Sequence, residues 1–192
     1  MLAIDTMLSR VSLSALQDPA PDGQVLERIL ETGLRAPDHG RLAPWRYVLI
    51  RGEARTALAD IVGRALLARE PDATPPMVEK QRGKFLRAPL IVALGAHLRP
   101  DHKIPQAEQL MTVAAGAMNL LNAIHAEGFG AIWVTGANAY DPGVQAALGF
   151  VPPDTLAGFL FVGTPRDVPA LVRRPALSDH VTEWTGRLVS QG

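Results

Sequence analysis

A chain of 192 residues, 47% hydrophobic and 20% charged, has the composition of one globular domain with a substantial core, which excludes a disordered chain. Nineteen basic residues balance nineteen acidic ones, so net charge gives no footing for nucleic acid or an anionic membrane surface. The absence of cysteine excludes disulfides, thiol nucleophiles and cysteine-ligated zinc.

The start, M-L-A-I-D-T-M-L-S-R, places Asp5 early and has no basic region before an apolar run, so it reads as a cytoplasmic protein without a signal peptide. Ile4–Ser9 forms a short helix that ends at Arg10-Val11-Ser12, where a guanidinium and a hydroxyl stand two residues apart. Asp22 is a good N-cap for a helix over Gln24–Leu34, in which Val25, Ile29 and Leu30 share a face. The next stretch, L-R-A-P-D-H-G-R-L-A-P-W-R-Y, is densely polar. Pro37, Gly40 and Pro44 rule out a continuous helix or central strand, so it is an ordered loop presenting Arg35, Asp38, His39, Arg41 and Arg46.

Tyr47–Ile50 is a strand, and Glu53–Arg69 an amphipathic helix with Leu58, Ile61, Val62, Ala65 and Leu66 on one stripe. A break at Pro71–Pro76 precedes a polar helix over Val78–Leu86. Leu90–Leu94 is a second strand. Pro105 opens the longest helix, Gln106–Glu127, with Gly128 past its end. From Leu110 to Ile124 this helix is apolar almost all round, which suits a domain centre or a subunit interface. Ala131–Val134 is the third strand, Asp141–Leu148 a short helix and Leu156–Val162 the fourth strand. None of the strands alternates cleanly, so the sheet is expected to be covered on both faces. The whole reads as one α+β domain over residues 1–192.

His97, Asp101, His102 and Glu108 match no familiar ligand frame, and no metal site is expected. There is no G-x-S-x-G elbow, no G-x-G-x-x-G and no G-x-x-x-x-G-K-[ST]. Any nucleotide must therefore be held by side chains.

Arg10-Val11-Ser12, the loop R-A-P-D-H-x-x-x-x-P-W, the strand ending W-V-T-G and the turn F-V-G-T-P occur in this order. Together with His102-Lys103-Ile104-Pro105-x-x-Glu108-Gln109, the set resembles the FMN-dependent nitroreductase family, most closely its compact YdjA-type bacterial branch. The likeness spans about Asp5 to Pro165. It implies a central, mostly antiparallel sheet of four or five strands flanked by helices, in a homodimer with two FMN sites at the interface. The last segment, residues 166–192, is rich in proline and arginine without a periodic pattern, and such a tail is either disordered or wraps the partner subunit. The likeness further implies NAD(P)H as donor and a small acceptor such as a nitroaromatic or quinone, in ping-pong order. Flavin N5 would carry the chemistry, with no catalytic side chain. Carried over by resemblance, the flavin contacts are Arg10, Val11, Ser12, Trp133, Val134, Thr135 and Gly136, with Arg35 and His39 from the second subunit. The nicotinamide nucleotide would meet Ala123, Ile124, His125, Ala126, Glu127 and Gly128. Two departures stand out: Val11 and Val134 occupy positions where close relatives carry arginine. The alternative reading is a flavin-binding or dimeric interaction protein without turnover.

Overall fold

In the computed structural model, which describes residues 2–167 and 172–186, the chain opens with helix α1 (Ala3–Ser9) and a two-residue strand β1 (Leu16–Gln17). There follow α2 (Gly23–Gly33), β2 (Trp45–Arg51), α3 (Glu53–Arg69), α4 (Pro75–Leu86) and β3 (Leu90–Ala96). Then come α5 (Gln106–Ala126), β4 (Gly130–Val134), α6 (Ala137–Tyr140), α7 (Pro142–Ala147) and β5 (Thr155–Pro165). Among the described residues every ladder is antiparallel. β5 lies between β3 and β4, β2 flanks β3, and β1 pairs with the end of β5. This is the expected α+β architecture, with five strands. Of the expected wrapping tail, residues 168–171 and 187–192 lie outside the described residues.

Strand alternation sorts the core into two layers. Ile91 and Ala93 of β3, with Phe159 and Phe161 of β5, face α3 and α4, where Leu58, Val62 and Phe85 meet them. Phe85 packs edge-on against both phenylalanines, with ring centroids 5.2 and 5.5 Å away. Leu90, Val92, Leu94, Leu160 and Val162 face the other way, onto Leu26 and Ile29 of α2 and Leu120 and Ile124 of α5. Each such side chain contributes about 1.5–3 kcal/mol on burial, so these two layers carry the fold. β3 is buried along its whole length. The edge strands β2 and β4 are half-exposed, because each has one neighbour.

Differences from the sequence reading are local. α4 starts at Pro75, three residues before the expected Val78, because prolines at the first helical positions lose no internal hydrogen bond. β1 and α6, with two and four residues, are too short to show a period. α5 ends as read: Gly128 takes φ +84°, and Phe129 N–H returns to the Ile124 carbonyl. The same helix is not covered on every side, since Met111 is 67% and Met118 37% exposed. No helix among the described residues is long and apolar enough to cross a membrane.

Candidate functional site

The end of β4 builds one wall of a cleft. Alternation turns Ile132 and Val134 to one face and Ala131 and Trp133 to the other. Val134, Thr135 and Gly136 then line a cavity of about 310 Å³. Gly136 has φ +99°, a conformation other residues rarely adopt, so the strand turns sharply here into α6. The opposite wall comes from α4 and its end: Gln81, Lys84, Phe85, Arg87 and Ala88. Ser14 closes the rim. Lys84 Nζ donates to Gln81 Oε1 at 2.7 Å. Among the described residues no carboxylate lines the cleft.

The N-terminal motif leads toward it, Arg10 lying four residues before Ser14 in the cleft wall. After α1 the chain runs extended, and Leu13 N–H bonds the Ala131 carbonyl at 3.0 Å. Along this extended segment Ser12 and Ser14 are exposed, while Leu13 packs against the core. Arg10 Nε and Nη1 are buried without a hydrogen-bond partner. Burial lowers the Arg10 pKa, and the neighbouring positive charge of Arg174 lowers it further. Arg174 Nη2 also donates to the Arg10 carbonyl at 2.6 Å. Two guanidiniums held together, one with orphaned nitrogens, form a site short of an anion. A phosphomonoester fits that deficit.

The polar loop is ordered, as read. Arg41 and Ala43 both have positive φ, +54° and +47°, and Gly40 has +78°. Strained backbone persists where its surroundings hold it. Here Asp38 Oδ2 accepts from Ala43 N–H at 2.7 Å, and Arg46 Nη1 donates to the Ala43 and Trp45 carbonyls. His39 Nδ1 lies 2.6 Å from Glu108 Oε2, which ties the loop to the first turn of α5. Arg35 and His39 are both exposed, and neither lines the cleft of its own chain.

Of the sequence candidates, the structure gathers Val134, Thr135 and Gly136 at the cleft and sets Arg10 beside Arg174. Trp133 turns away, its Nε1 donating to the Ala157 carbonyl at 3.2 Å. The stretch Ala123–Gly128 is the C-terminal end of α5 and lines no part of the cleft. His125 Nε2 sits 2.9 Å from Ser9 Oγ, so the stretch adjoins the residue preceding Arg10. His97 pairs with Asp154, and Ile104 N–H donates to His102 Nδ1. Among the described residues no three histidine or acidic side chains gather as a metal site would require.

Sequence reasoning missed Ser14, Lys84, Arg87 and Arg174. The alternation Arg10-x-Ser12-x-Ser14 was a readable signal for the first. Folding alone brings Lys84 and Arg87 to the cleft and Arg174 to Arg10.

The family model for the nitroreductase family matches residues 7–164. An Escherichia coli (strain K12) protein named "Putative NAD(P)H nitroreductase YdjA" is 37% identical over 166 residues, covering 86% of this chain and 90% of that one. A Haemophilus influenzae relative is 29% identical over 165 residues, covering 85% and 89%. Among solved structures, a nitroreductase-like family protein from Bacillus cereus matches with a TM-score of 0.83 at 22% identity, over 97% of both chains. A mutant of the FMN and NADPH-dependent nitroreductase NfnB, from sphigopyxis sp. strain HMH, matches at 0.76 and 20% identity, over 97% and 100%. At such identities the two structures speak for the fold alone, whereas the family model spans most of the sequence and the Escherichia coli relative shares more than a third of its positions. The chain belongs to the nitroreductase family.

Proposed function

We propose that this chain is an FMN-dependent oxidoreductase that takes electrons from NAD(P)H and passes them to small acceptors such as nitroaromatics or quinones. The observation that carries this is the cleft at Val134–Gly136, free of carboxylates among the described residues, with the anion-deficient pair Arg10 and Arg174 on the segment that leads to Ser14 in its wall. FMN, when bound, supplies the hydride chemistry. Arg10, Ser12 and Arg174 hold its phosphate, and Arg174 stands in for the arginine that Val11 replaces. Lys84 brings to the ring end of the cleft a positive charge that Val134 lacks, where it favours negative charge developing on reduction. The backbone of Thr135 and Gly136 orients the ring, and Val134 and Phe161 exclude water. One cleft serves donor and acceptor in turn, a ping-pong order, and the end of α5 meets the nucleotide part of the donor.

The working unit is a homodimer. Met111 and Met118 of α5 and Ile4, Met7 and Leu8 of α1 are exposed apolar side chains on neighbouring helices. The described part of the tail adds Val172, Leu177, Val181 and Trp184. Apolar patches of this kind suit burial against a second copy, with the tail laid over it. Arg35 and His39 then reach the partner's cleft.

Anaerobic titration of the purified protein tests the reading. A yellow protein bleached by NADH or NADPH and recoloured by a nitroaromatic is the expected result. A yellow protein that neither donor bleaches would make it a flavin-binding protein without turnover. A protein that binds no flavin would overturn the reading.

A further inference from the structure

A second recess opens beside the cleft. It has a volume of about 280 Å³ and is lined by Ser14, Ala15, Leu16, Arg87 and Arg166. Ser14 and Arg87 line the cleft as well, so the two spaces adjoin. Like the cleft, the recess has no carboxylate in its wall among the described residues. Arg166 is held in place by its backbone, whose N–H bonds the Ala15 carbonyl at 3.0 Å, and by Nε, which donates to the Leu16 carbonyl at 3.1 Å. These bonds follow from the register in which Leu16 faces Pro165. They use one guanidinium nitrogen and leave the fork at the other end available. Arg87 directly follows α4, where a cation complements the helix dipole. Neither arginine forms an ion pair with the adjacent Asp167 or with any other carboxylate among the described residues.

Two guanidiniums lining one recess repel each other, an anion between them relieves that repulsion, and the serine hydroxyl offers a further donor. We propose that Ser14, Arg87 and Arg166 form a subsite for an anionic group, a carboxylate or phosphate, carried by a substrate whose reacting part occupies the cleft. Guanidinium forks and a serine hydroxyl are the donors that such oxygens accept from. The enzyme would then prefer charged substrates over neutral ones of the same shape. This inference rests on the reading of the cleft as the flavin site.

The test compares 4-nitrobenzoate with its neutral isostere 4-nitrobenzamide, in the parent holoenzyme and in the Arg87→Gln and Arg166→Gln variants. Equilibrium binding by calorimetry, kcat/KM for each acceptor, the NADPH-to-NADH ratio of kcat/KM and bound FMN are measured. The expected result is a benzoate-to-benzamide binding ratio that falls about tenfold in each variant, with FMN content unchanged in Arg166→Gln, whose side chain lines the recess and not the cleft. A fall in the NADPH-to-NADH ratio with the acceptor ratio intact supports the subsite and assigns its anion to the donor's phosphate. Both ratios unchanged in both variants would overturn the proposal. Loss of FMN from the variants with both ratios intact would also overturn it, since the recess would then belong to the cofactor's phosphate. If the parent binds no flavin, the reading of the cleft fails, and the calorimetric ratio still decides the recess.

Discussion

Arg174 Nη2 donates a 2.6 Å hydrogen bond to the carbonyl of Arg10, which places a guanidinium from the tail beside one from the end of the first helix. The two lie 164 residues apart in the chain, and the buried nitrogens of Arg10 have no partner there.

Arg10→Ala is expected to lower FMN affinity by about tenfold to a hundredfold, the worth of one charge-assisted hydrogen bond, while the dimer stays intact. Arg174→Ala is expected to act in the same direction. Flavin retained after dialysis, with gel filtration alongside, is the measurement. Equal flavin content in parent and Arg10→Ala would count against the phosphate assignment.

Charge at the ring end sets the flavin's potential. Val134→Arg is expected to raise the midpoint potential, and Lys84→Gln to lower it, because a cation stabilises negative charge on the reduced ring. Spectroelectrochemistry of the two variants with FMN bound checks both signs. An unchanged potential in Val134→Arg would remove that residue from the ring's surroundings.

Site ownership can be read from mixed dimers. Arg10→Ala and Arg35→Ala homodimers are each expected to be impaired in both sites. A mixed dimer would carry both defects in one pocket and none in the other. Random exchange makes about half the dimers mixed, so about a quarter of all sites are intact by two-fold symmetry. Co-expression is therefore expected to restore activity well above either homodimer. Activity equal to the average of the two would place Arg10 and Arg35 in one chain's pocket.

Tyr47 fixes how closely α2 and α5 approach. A Cβ added at Gly116 would meet Tyr47 Oη at 2.6 Å and the Gly33 carbonyl at 2.8 Å. Gly116→Ala is expected to destabilise the fold by about 1–3 kcal/mol through overpacking, measured by urea denaturation. A neutral substitution would mean that the helices part easily.

The Tyr47 hydroxyl itself is buried without a partner, and burial pushes its pKa up to about 12. Its neutral form suits the fold, while an unfolded tyrosine ionises near pH 10. Between about pH 10 and 12 the unfolded state therefore releases the proton first, and stability falls as pH rises. Tyr47→Phe is expected to flatten this alkaline limb and to cost little at neutral pH. Identical alkaline unfolding curves for variant and parent would show that other groups set the limb.

The sequence by itself determined the longer elements and the family. Helix ends were written in local chemistry: Asp22 caps α2, Asp141 caps α7 through Val144 N–H, and Gly128 ends α5. Such signals act within a few residues, so they survive without a fold. The buried strands were legible because β3 and β5 are apolar on both faces. The tertiary structure alone decided which side chains share a site. Trp133 and Val134 are neighbours in sequence, yet strand pleating sends them to opposite layers. Lys84, Arg87, Arg166 and Arg174 lie far from the W-V-T-G motif in sequence, and none carries a local mark that separates it from a solvated surface cation. Lys84, Arg87 and Arg166 meet at adjoining spaces because β1 and β4 both pair with β5 while α4 packs across the same layer, and Arg174 comes instead to Arg10. Non-local strand pairing fixes that geometry, and a cation's function there depends on which other charges the fold leaves it beside.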